Sequence, residues 1–227
     1  MTVVSQIWQG LDWSWLADTL LGVIPALVCI VLHELGHGVV ALWLGDDTAR
    51  RAGRLTLNPL RHVDWYGLVM MALFHVGWAK AVPVNMYRFR HPRRGMALTA
   101  LAGPVVNLLL AALALLLYGF LWPFLYESAI GMTALKLLAL TAQMSVGLMV
   151  FNLIPIPPLD GSKVLFSVLG DALYDKLMRY ERYGMIVLVI LVLTGAGTGV
   201  LNTGIDWVLD RLYGLAMVAN RLSVRLL

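Results

Sequence analysis

Two histidines that lie four residues apart on an apolar stretch, His33 and His37, have the type and spacing to do chemistry. Four residues turn an α-helix by about 400° and advance it by about 6 Å, so both imidazoles project from one face and can share a metal ion. Glu34 is turned by about 100° from His33, and its carboxylate could reach a water at that metal without being a ligand. The pattern His-Glu-x-x-His therefore predicts a metal site with a general base beside it.

The composition places this pattern in a membrane. Of the 227 residues, 60% are hydrophobic and only 13% are charged, whereas a soluble globular chain is about 45–50% apolar and about 25% charged. The net charge of +4 comes from basic residues clustered between apolar runs. No stripe of Lys and Arg is interleaved with aromatic residues, as a nucleic-acid groove would require, so we expect a lipid bilayer and no nucleic acid as partner.

Burial in a membrane favours the metal interpretation over a structural one. Two histidines and a glutamate on an apolar helix are costly in hydrocarbon unless they are paired, hydrated or bound to a metal. Histidines that are satisfied by neighbouring helices would explain one such residue. Such packing does not readily explain three polar or ionisable residues within the five positions from His33 to His37.

Four apolar runs are long enough, or nearly so, to cross the hydrocarbon core, which takes about 20 helical residues. They cover about residues 17–44, 97–122, 132–156 and 184–203. From about residue 204 the chain is predicted to form an amphipathic helix at the membrane interface. The sequence therefore predicts an all-α polytopic membrane protein with about four transmembrane helices and an amphipathic C-terminal helix.

A shorter apolar piece at residues 66–82 has arginine-rich flanks on both sides. If this piece crossed the membrane, one basic flank would lie outside, against the positive-inside tendency. Its Val, Trp and Tyr content with Gly and Pro nearby suits strands better than a long helix. We therefore favour a re-entrant or β-hairpin segment over a span, and such a hairpin could pair with an extended stretch of substrate.

The organisation of the chain predicts one domain over residues 1–227, with a catalytic core at about 17–170. No internal repeat, low-complexity tract or linker interrupts the sequence. Residues 1–16 lack the basic region of a cleaved signal peptide, and the first span carries the metal motif, so we expect that span to be retained. The arginine-rich loops place the candidate site in the cytoplasmic half of the membrane.

A catalytic zinc site needs a third protein ligand and an open position for water. Asp160 is the best candidate, because it follows a stretch with three prolines that interrupts the helix at the inner end of the third span. Irregular backbone at membrane depth is tolerated only where it is buried in protein or lines a watery cavity. The alternative role for Asp160 is to cap a helix that begins near Ser162. Its position level with His37 favours the ligand role.

Two motifs on separate predicted spans, HELGH at residues 33–37 and NLIPIPPLDG at residues 152–161, resemble the site-2 protease family of intramembrane zinc proteases. Three further segments are similar to segments of the same family. They are GRLTLNPLRHVD at 53–64, GWAKAVPVN at 77–85 and AGPVVN at 102–107. The resemblance covers about residues 20–170 and is strongest to the compact bacterial members that lack PDZ and CBS domains.

The resemblance implies one zinc ion per chain, bound by His33, His37 and Asp160, with Glu34 as general base. Asn107 matches a position in the family's central helix, where it could donate a hydrogen bond to the developing oxyanion. It could equally form only a helix–helix hydrogen bond. The implied activity is hydrolysis of peptide bonds within or next to transmembrane segments of membrane proteins, as in regulated intramembrane proteolysis, at the cytoplasmic side of a bacterial inner membrane.

Two alternatives from other functional classes remain open at this point. A metal-binding membrane protein such as a zinc transporter would need ligands along a path through the bilayer, whereas these candidates gather at one depth. A pseudoprotease scaffold would bind membrane partners without cutting them, and an intact Glu34 argues only weakly against it. The sequence does not identify a substrate or an oligomeric state.

Overall fold

The computed structural model describes residues 13–64, 66, 80–169 and 181–226, and this part of the chain is helical and contains no β-strand. The helices in chain order are α1 (Trp13–Trp43), α2 (Thr48–Arg51), α3 (Pro92–Leu125), α4 (Ala129–Asn152), α5 (Asp160–Ser167), α6 (Glu181–Thr194) and α7 (Thr198–Val224). Two single turns of 3-10 helix, at Pro59–Arg61 and Met86–Arg88, lie in the connection between α2 and α3.

Three helices of the described chain are long and apolar enough to cross a membrane: Thr19–Trp43 within α1, all of α3 and all of α4. They correspond to the first three predicted spans. Many of their large apolar side chains, such as Leu109 and Leu113 of α3, are exposed on the outside of the bundle. Such a surface is unfavourable in water and suits the acyl chains of a bilayer, so the prediction of a membrane protein is confirmed.

The fourth predicted span, at about 184–203, is not one continuous helix. The chain leaves α6 at Thr194 and enters α7 at Thr198, and between them Gly195 and Gly197 have φ angles of +67° and +96°. Glycine adopts this left-handed backbone without the penalty that a Cβ would bring. The described part of α6 has 14 residues, which gives about 21 Å of helix. The structure thus confirms three of the four predicted spans.

The C-terminal helix α7 packs lengthwise against α3 and α4. Its buried side chains, Leu209 and Ala216, join the main apolar cluster of the bundle, to which α3 contributes Ala111, Ala114 and Leu115 and α4 contributes Ala142 and Val146. Charged residues of α7, including Asp206, Asp210 and Arg211, are exposed. The predicted amphipathic helix is therefore present, and its apolar face packs against protein at Leu209 and Ala216.

The contact between α3 and α7 depends on a glycine. A Cβ at Gly119 would lie 2.0 Å from the carbonyl oxygen of Ala216, and Asn220 donates to the Gly119 carbonyl oxygen at 3.2 Å. We expect Gly119→Ala to push α7 away from α3 and to lower the thermal unfolding temperature of the purified protein in detergent. Gly214→Ala is the matched control on α7, because a Cβ there meets nothing within 4 Å. Equal unfolding temperatures for both variants would contradict this packing.

The helix that carries both candidate histidine ligands, α1, approaches α3 closely. A Cβ at Gly36 would lie 2.9 Å from Val106 and 3.0 Å from the backbone oxygen of Ala102. Small residues at such contacts let two membrane helices pack with their backbones near each other. This packing brings the face of α1 that bears His33 and His37 directly against α3.

The re-entrant or β-hairpin segment predicted at 66–82 lies almost entirely outside the described residues, so it stays a prediction. Its two ends are described. The backbone N–H of Lys80 donates to the carbonyl oxygen of His62 at 2.9 Å, and this bond holds together the points where the chain enters and leaves the segment.

Candidate active site

His33 and His37 of α1 meet Asp160, the first residue of α5, in the interior of the bundle. The Nε2 atoms of the two histidines are 3.0 Å apart. The Oδ2 atom of Asp160 lies 3.2 Å from Nε2 of His33 and 3.1 Å from Nε2 of His37. All three residues are buried. The structure thus brings together the three residues that the sequence indicated as metal ligands.

This set of atoms suits a zinc ion. A tetrahedral zinc with nitrogen and oxygen ligands at about 2.0–2.2 Å sets neighbouring ligand atoms about 3.3–3.6 Å apart. The observed separations of 3.0–3.2 Å are slightly shorter, so a small outward shift of the side chains admits the ion. Two imidazole nitrogens and a carboxylate oxygen that face one another present three lone pairs, and too few protons lie between them to give each a hydrogen bond. One cation can accept all three lone pairs. Among the described residues, these three are the group of His, Cys, Asp and Glu side chains whose ligand atoms lie close enough together to bind one metal ion.

Asp160 is held in place by the irregular loop that precedes it and by Gly161. A Cβ at Gly161 would lie 2.2 Å from the carbonyl oxygen of Leu153, so this glycine allows α5 to begin tightly against the end of α4. The predicted alternative, a capping role for Asp160, is not what the structure shows. The N-cap position belongs to Leu159, and no side-chain capping hydrogen bond is made.

The charge of Asp160 also fits a ligand. Burial alone would raise the pKa of its carboxyl, but hydrogen bonds with His33 and His37 and the nearby charge of Lys163 hold that pKa well below its usual range. The Nζ atom of Lys163 lies 3.5 Å from Oδ1, the carboxylate oxygen that does not face the histidines. Asp160 is therefore ionised at neutral pH, as a metal ligand must be.

Glu34 points toward residues 80–85, which have no regular secondary structure, and its Oε2 atom accepts a hydrogen bond from the backbone N–H of Val82 at 2.7 Å. This stretch is anchored on both sides of Val82. The buried guanidinium of Arg54 donates to the carbonyl oxygens of Lys80 and Ala81. The backbone N–H of Asn85 donates to the buried carboxylate of Asp46 at 2.6 Å. Glu34 therefore lies beside the three candidate ligands without being one of them, and the backbone N–H of Val82 fixes its carboxylate.

The wall behind the two imidazoles is one face of α3. Nδ1 of His37 is 2.7 Å from the carbonyl oxygen of Thr99, and Nδ1 of His33 is 3.2 Å from the side-chain nitrogen of Asn107. Between them is Gly103, where a Cβ would lie 2.5 Å from Nε2 of His37. Asn107 thus contacts the ring nitrogen of His33 that faces away from Asp160. This contact is the helix–helix hydrogen bond, one of the two predicted roles of Asn107.

Sequence reasoning missed four residues around the site: Asp46, Arg54, Thr99 and Gly103. Gly103 precedes Asn107 by one helical turn, a spacing that could have indicated close packing against the histidines. Thr99 contacts His37 through its backbone oxygen, which every residue type has, so the sequence could not indicate this contact. Asp46 and Arg54 are almost fully buried charges, 0% and 7% exposed. The partners that tie them to residues 80–85, Asn85 for Asp46 and the Lys80 and Ala81 carbonyls for Arg54, lie far away in the sequence.

The comparisons with known proteins agree with this geometry. A model of the family described as "Peptidase family M50" matches residues 124–195, the range that contains Asp160. The chain is 37% identical over 195 residues to "Putative zinc metalloprotease YwhC" of Bacillus subtilis, covering 82% of this chain and 88% of that protein. It is 34% identical over 207 residues to "Putative zinc metalloprotease Rip2" of Mycobacterium tuberculosis, covering 87% of this chain and 74% of that protein.

The comparison with solved structures found no match. The sequence relationship nevertheless covers most of the chain and of both relatives, and it confirms the resemblance on which the ligand and base assignments were based. The chain therefore belongs to peptidase family M50, the site-2 protease family of membrane zinc metalloproteases.

Proposed function

We propose that this metalloprotease cuts peptide bonds within or next to transmembrane segments of membrane-protein substrates, as in regulated intramembrane proteolysis. In this proposal one zinc ion per chain is bound by His33, His37 and Asp160, and Glu34 is the general base. The observation that carries the proposal is the meeting of three buried ligand atoms, all within 4.8 Å of one another. Two of them belong to a helix that is long enough to span a membrane.

Zinc, when bound, polarises the substrate carbonyl and lowers the pKa of a water toward about 7. His33, His37 and Asp160 would hold the zinc through three protein atoms, as in catalytic zinc sites, and would leave the metal open to water and substrate. Glu34 accepts the proton of the attacking water and returns it to the nitrogen of the leaving amine. Oε2 of Glu34 accepts the Val82 N–H at 2.7 Å, and this hydrogen bond fixes the carboxylate while its remaining lone pairs can accept the proton.

The position of the site supports a membrane-embedded substrate. His33 and His37 lie on a helix whose candidate span runs from Thr19 to Trp43, so a scissile bond must come to them at membrane depth. A helical substrate has its carbonyl groups bonded within its own helix. It must therefore unwind locally before one of them can be attacked.

The arginines at one end of the bundle support an orientation. Arg51 follows α1, while Arg88, Arg90, Arg93 and Arg94 lie just before α3 or in its first turn. Basic loops are retained on the cytoplasmic side, so we propose that the site opens toward the cytoplasm. We also propose that residues 1–227 form one membrane-embedded domain in a bacterial inner membrane.

The test is to co-express a panel of labelled single-span membrane proteins with the wild type and with Glu34→Gln. We expect the substitution to lower cleavage by at least about 100-fold, the usual contribution of a general base, because glutamine cannot accept the proton. Zinc content, measured on the purified protein, should stay at the wild-type level. Cleavage by Glu34→Gln at the wild-type rate, or zinc transport that does not depend on Glu34, would overturn the proposal in favour of a metal-binding membrane protein.

A further inference from the structure

The outer nitrogens of both candidate histidine ligands face α3, and this face is built at helical spacing. Residues 99, 103 and 107 are four apart and so lie along one stripe of the helix. The stripe presents a backbone oxygen to His37, a glycine without a side chain between the rings, and a fully buried amide to His33. Both imidazoles therefore have a polar partner behind them, on the side away from Asp160.

The direction of the hydrogen bond at His33 follows from the chemistry of a ligand. A neutral imidazole that binds a metal through one nitrogen carries its proton on the other. Nε2 of His33 faces Asp160 and His37, so a metal-bound His33 has its proton on Nδ1. Its partner must then be an acceptor, as the carbonyl oxygen of Thr99 is for His37.

The side chain of Asn107 can supply that acceptor. Its Nδ2 atom lies 3.2 Å from Nδ1 of His33, while its Oδ1 atom is buried without a hydrogen-bond partner among the described residues. A 180° rotation of the amide exchanges the two atoms, since oxygen and nitrogen are nearly equal in size. One amide atom lacks a partner in either orientation, so the tautomer that His33 adopts as a metal ligand decides between them. A proton on Nδ1 selects the orientation with Oδ1 toward the ring.

We propose that Asn107 is a positioning residue, whose side-chain oxygen accepts the Nδ1–H of His33 and so directs the Nε2 lone pair of His33 toward Asp160 and His37. This inference rests on the metal site of the proposed function. Asn107 is itself held by α4, because the Ser145 hydroxyl donates to its backbone oxygen at 2.9 Å. A hydrogen bond of this kind fixes the tautomer and the orientation of a ligating histidine, and its loss typically lowers metal affinity about 10- to 100-fold.

The experiment separates this role from donation to an oxyanion. Asn107→Leu removes both donor and acceptor, Asn107→Ala does so without adding bulk, and Asn107→Asp keeps the acceptor. Zinc affinity is measured by competition with a chelator on purified protein, and the visible absorption spectrum of the cobalt-substituted protein reports the ligand geometry. Asn220→Leu is the matched control, because Asn220 also makes a helix–helix hydrogen bond, to Gly119, but belongs to α7.

We expect the Leu and Ala variants to bind zinc about 10- to 100-fold more weakly than the wild type. The Asp variant should keep wild-type zinc affinity and the wild-type cobalt spectrum, and the Asn220 control should keep its affinity. Cleavage by the Ala variant should recover when zinc is raised to saturation. If the Leu variant unfolds at a lower temperature than the wild type, the zinc affinities of the Ala and Asp variants decide whether the acceptor is needed.

Two results would overturn the inference. Wild-type zinc affinity in the Ala variant would show that His33 does not need the acceptor. Cleavage that stays lost at saturating zinc, with a normal cobalt spectrum, would assign Asn107 to the oxyanion. Neither result affects the proposed function, which fails instead if the wild-type protein binds zinc but cleaves no membrane protein in the panel.

Discussion

Replacing Asp160 by alanine is expected to abolish both zinc binding and proteolysis. The substitution removes one of three protein ligands and leaves two imidazole nitrogens 3.0 Å apart without the carboxylate that joins them. The loss in affinity should exceed the roughly 10- to 100-fold that follows when only a hydrogen-bonding partner of a ligand is removed. The measurements are the zinc content of the purified protein after dialysis and cleavage of a labelled membrane substrate.

A matched control for this variant is Asp210→Ala, which removes an exposed carboxylate from α7. It should keep both zinc and activity, since surface charges rarely contribute much to folding. Asp160→Asn adds an intermediate case, because it retains the size and one oxygen of the ligand and loses its charge. An Asp160→Ala protein that kept one tightly bound zinc would show that the metal is held elsewhere, and it would remove the basis of the proposed mechanism.

The part of the site that lies on one helix could be predicted from the sequence, since a four-residue spacing fixes the geometry of His33 and His37. Asp160 is more than one hundred residues away, and no local rule brings it to the histidines. It could be predicted because a proline-rich break at membrane depth needs a buried or polar environment, and because residues 152–161 resemble a motif of the site-2 protease family. The structure places its carboxylate 3.1–3.2 Å from both rings.

The spans were predictable for a related reason. Hydrocarbon forces every backbone hydrogen bond to be satisfied within the segment, so a long apolar run becomes a helix. The break between α6 and α7 was missed because Gly195, Ala196 and Gly197 continue the apolar run, and membrane helices often contain glycine. The packing of α7 was missed as well. An amphipathic pattern does not tell whether the apolar face meets lipid or, as at Leu209, other helices.

The contacts that hold Glu34 could not be predicted from the sequence, for a different reason. The guanidinium of Arg54 contacts the backbone of residues 80–81, and a backbone oxygen has no signature in the sequence. The charge run that contains Arg54 reads as a membrane-flanking loop, in which most arginines face solvent or lipid headgroups. Only the burial of Arg54, which is 7% exposed, separates it from its neighbours.

Replacing Arg54 by methionine is expected to lower proteolysis while leaving zinc bound. The variant keeps the apolar stem and removes the donor to the carbonyl oxygens of Lys80 and Ala81. The next residue, Val82, then loses its fixed position against Glu34, to which it donates at 2.7 Å. A hydrogen bond from a charged group contributes about 1.5–3 kcal/mol, which corresponds to a loss in cleavage rate of about 10- to 100-fold.

The control is Arg51→Met, three residues earlier. Arg51 is 68% exposed and pairs with Asp47 on the surface, and such a pair typically contributes less than about 1 kcal/mol, so its cleavage rate should stay near the wild-type rate. If Arg54→Met cleaves as fast as the Arg51 variant, residues 80–85 are not needed to hold the base. If it loses zinc together with activity, Arg54 supports the ligands themselves. Loss of cleavage with zinc retained is the result that assigns Arg54 to Glu34. Residues 80–85 contact Glu34, whereas the two histidines are contacted from behind by α3.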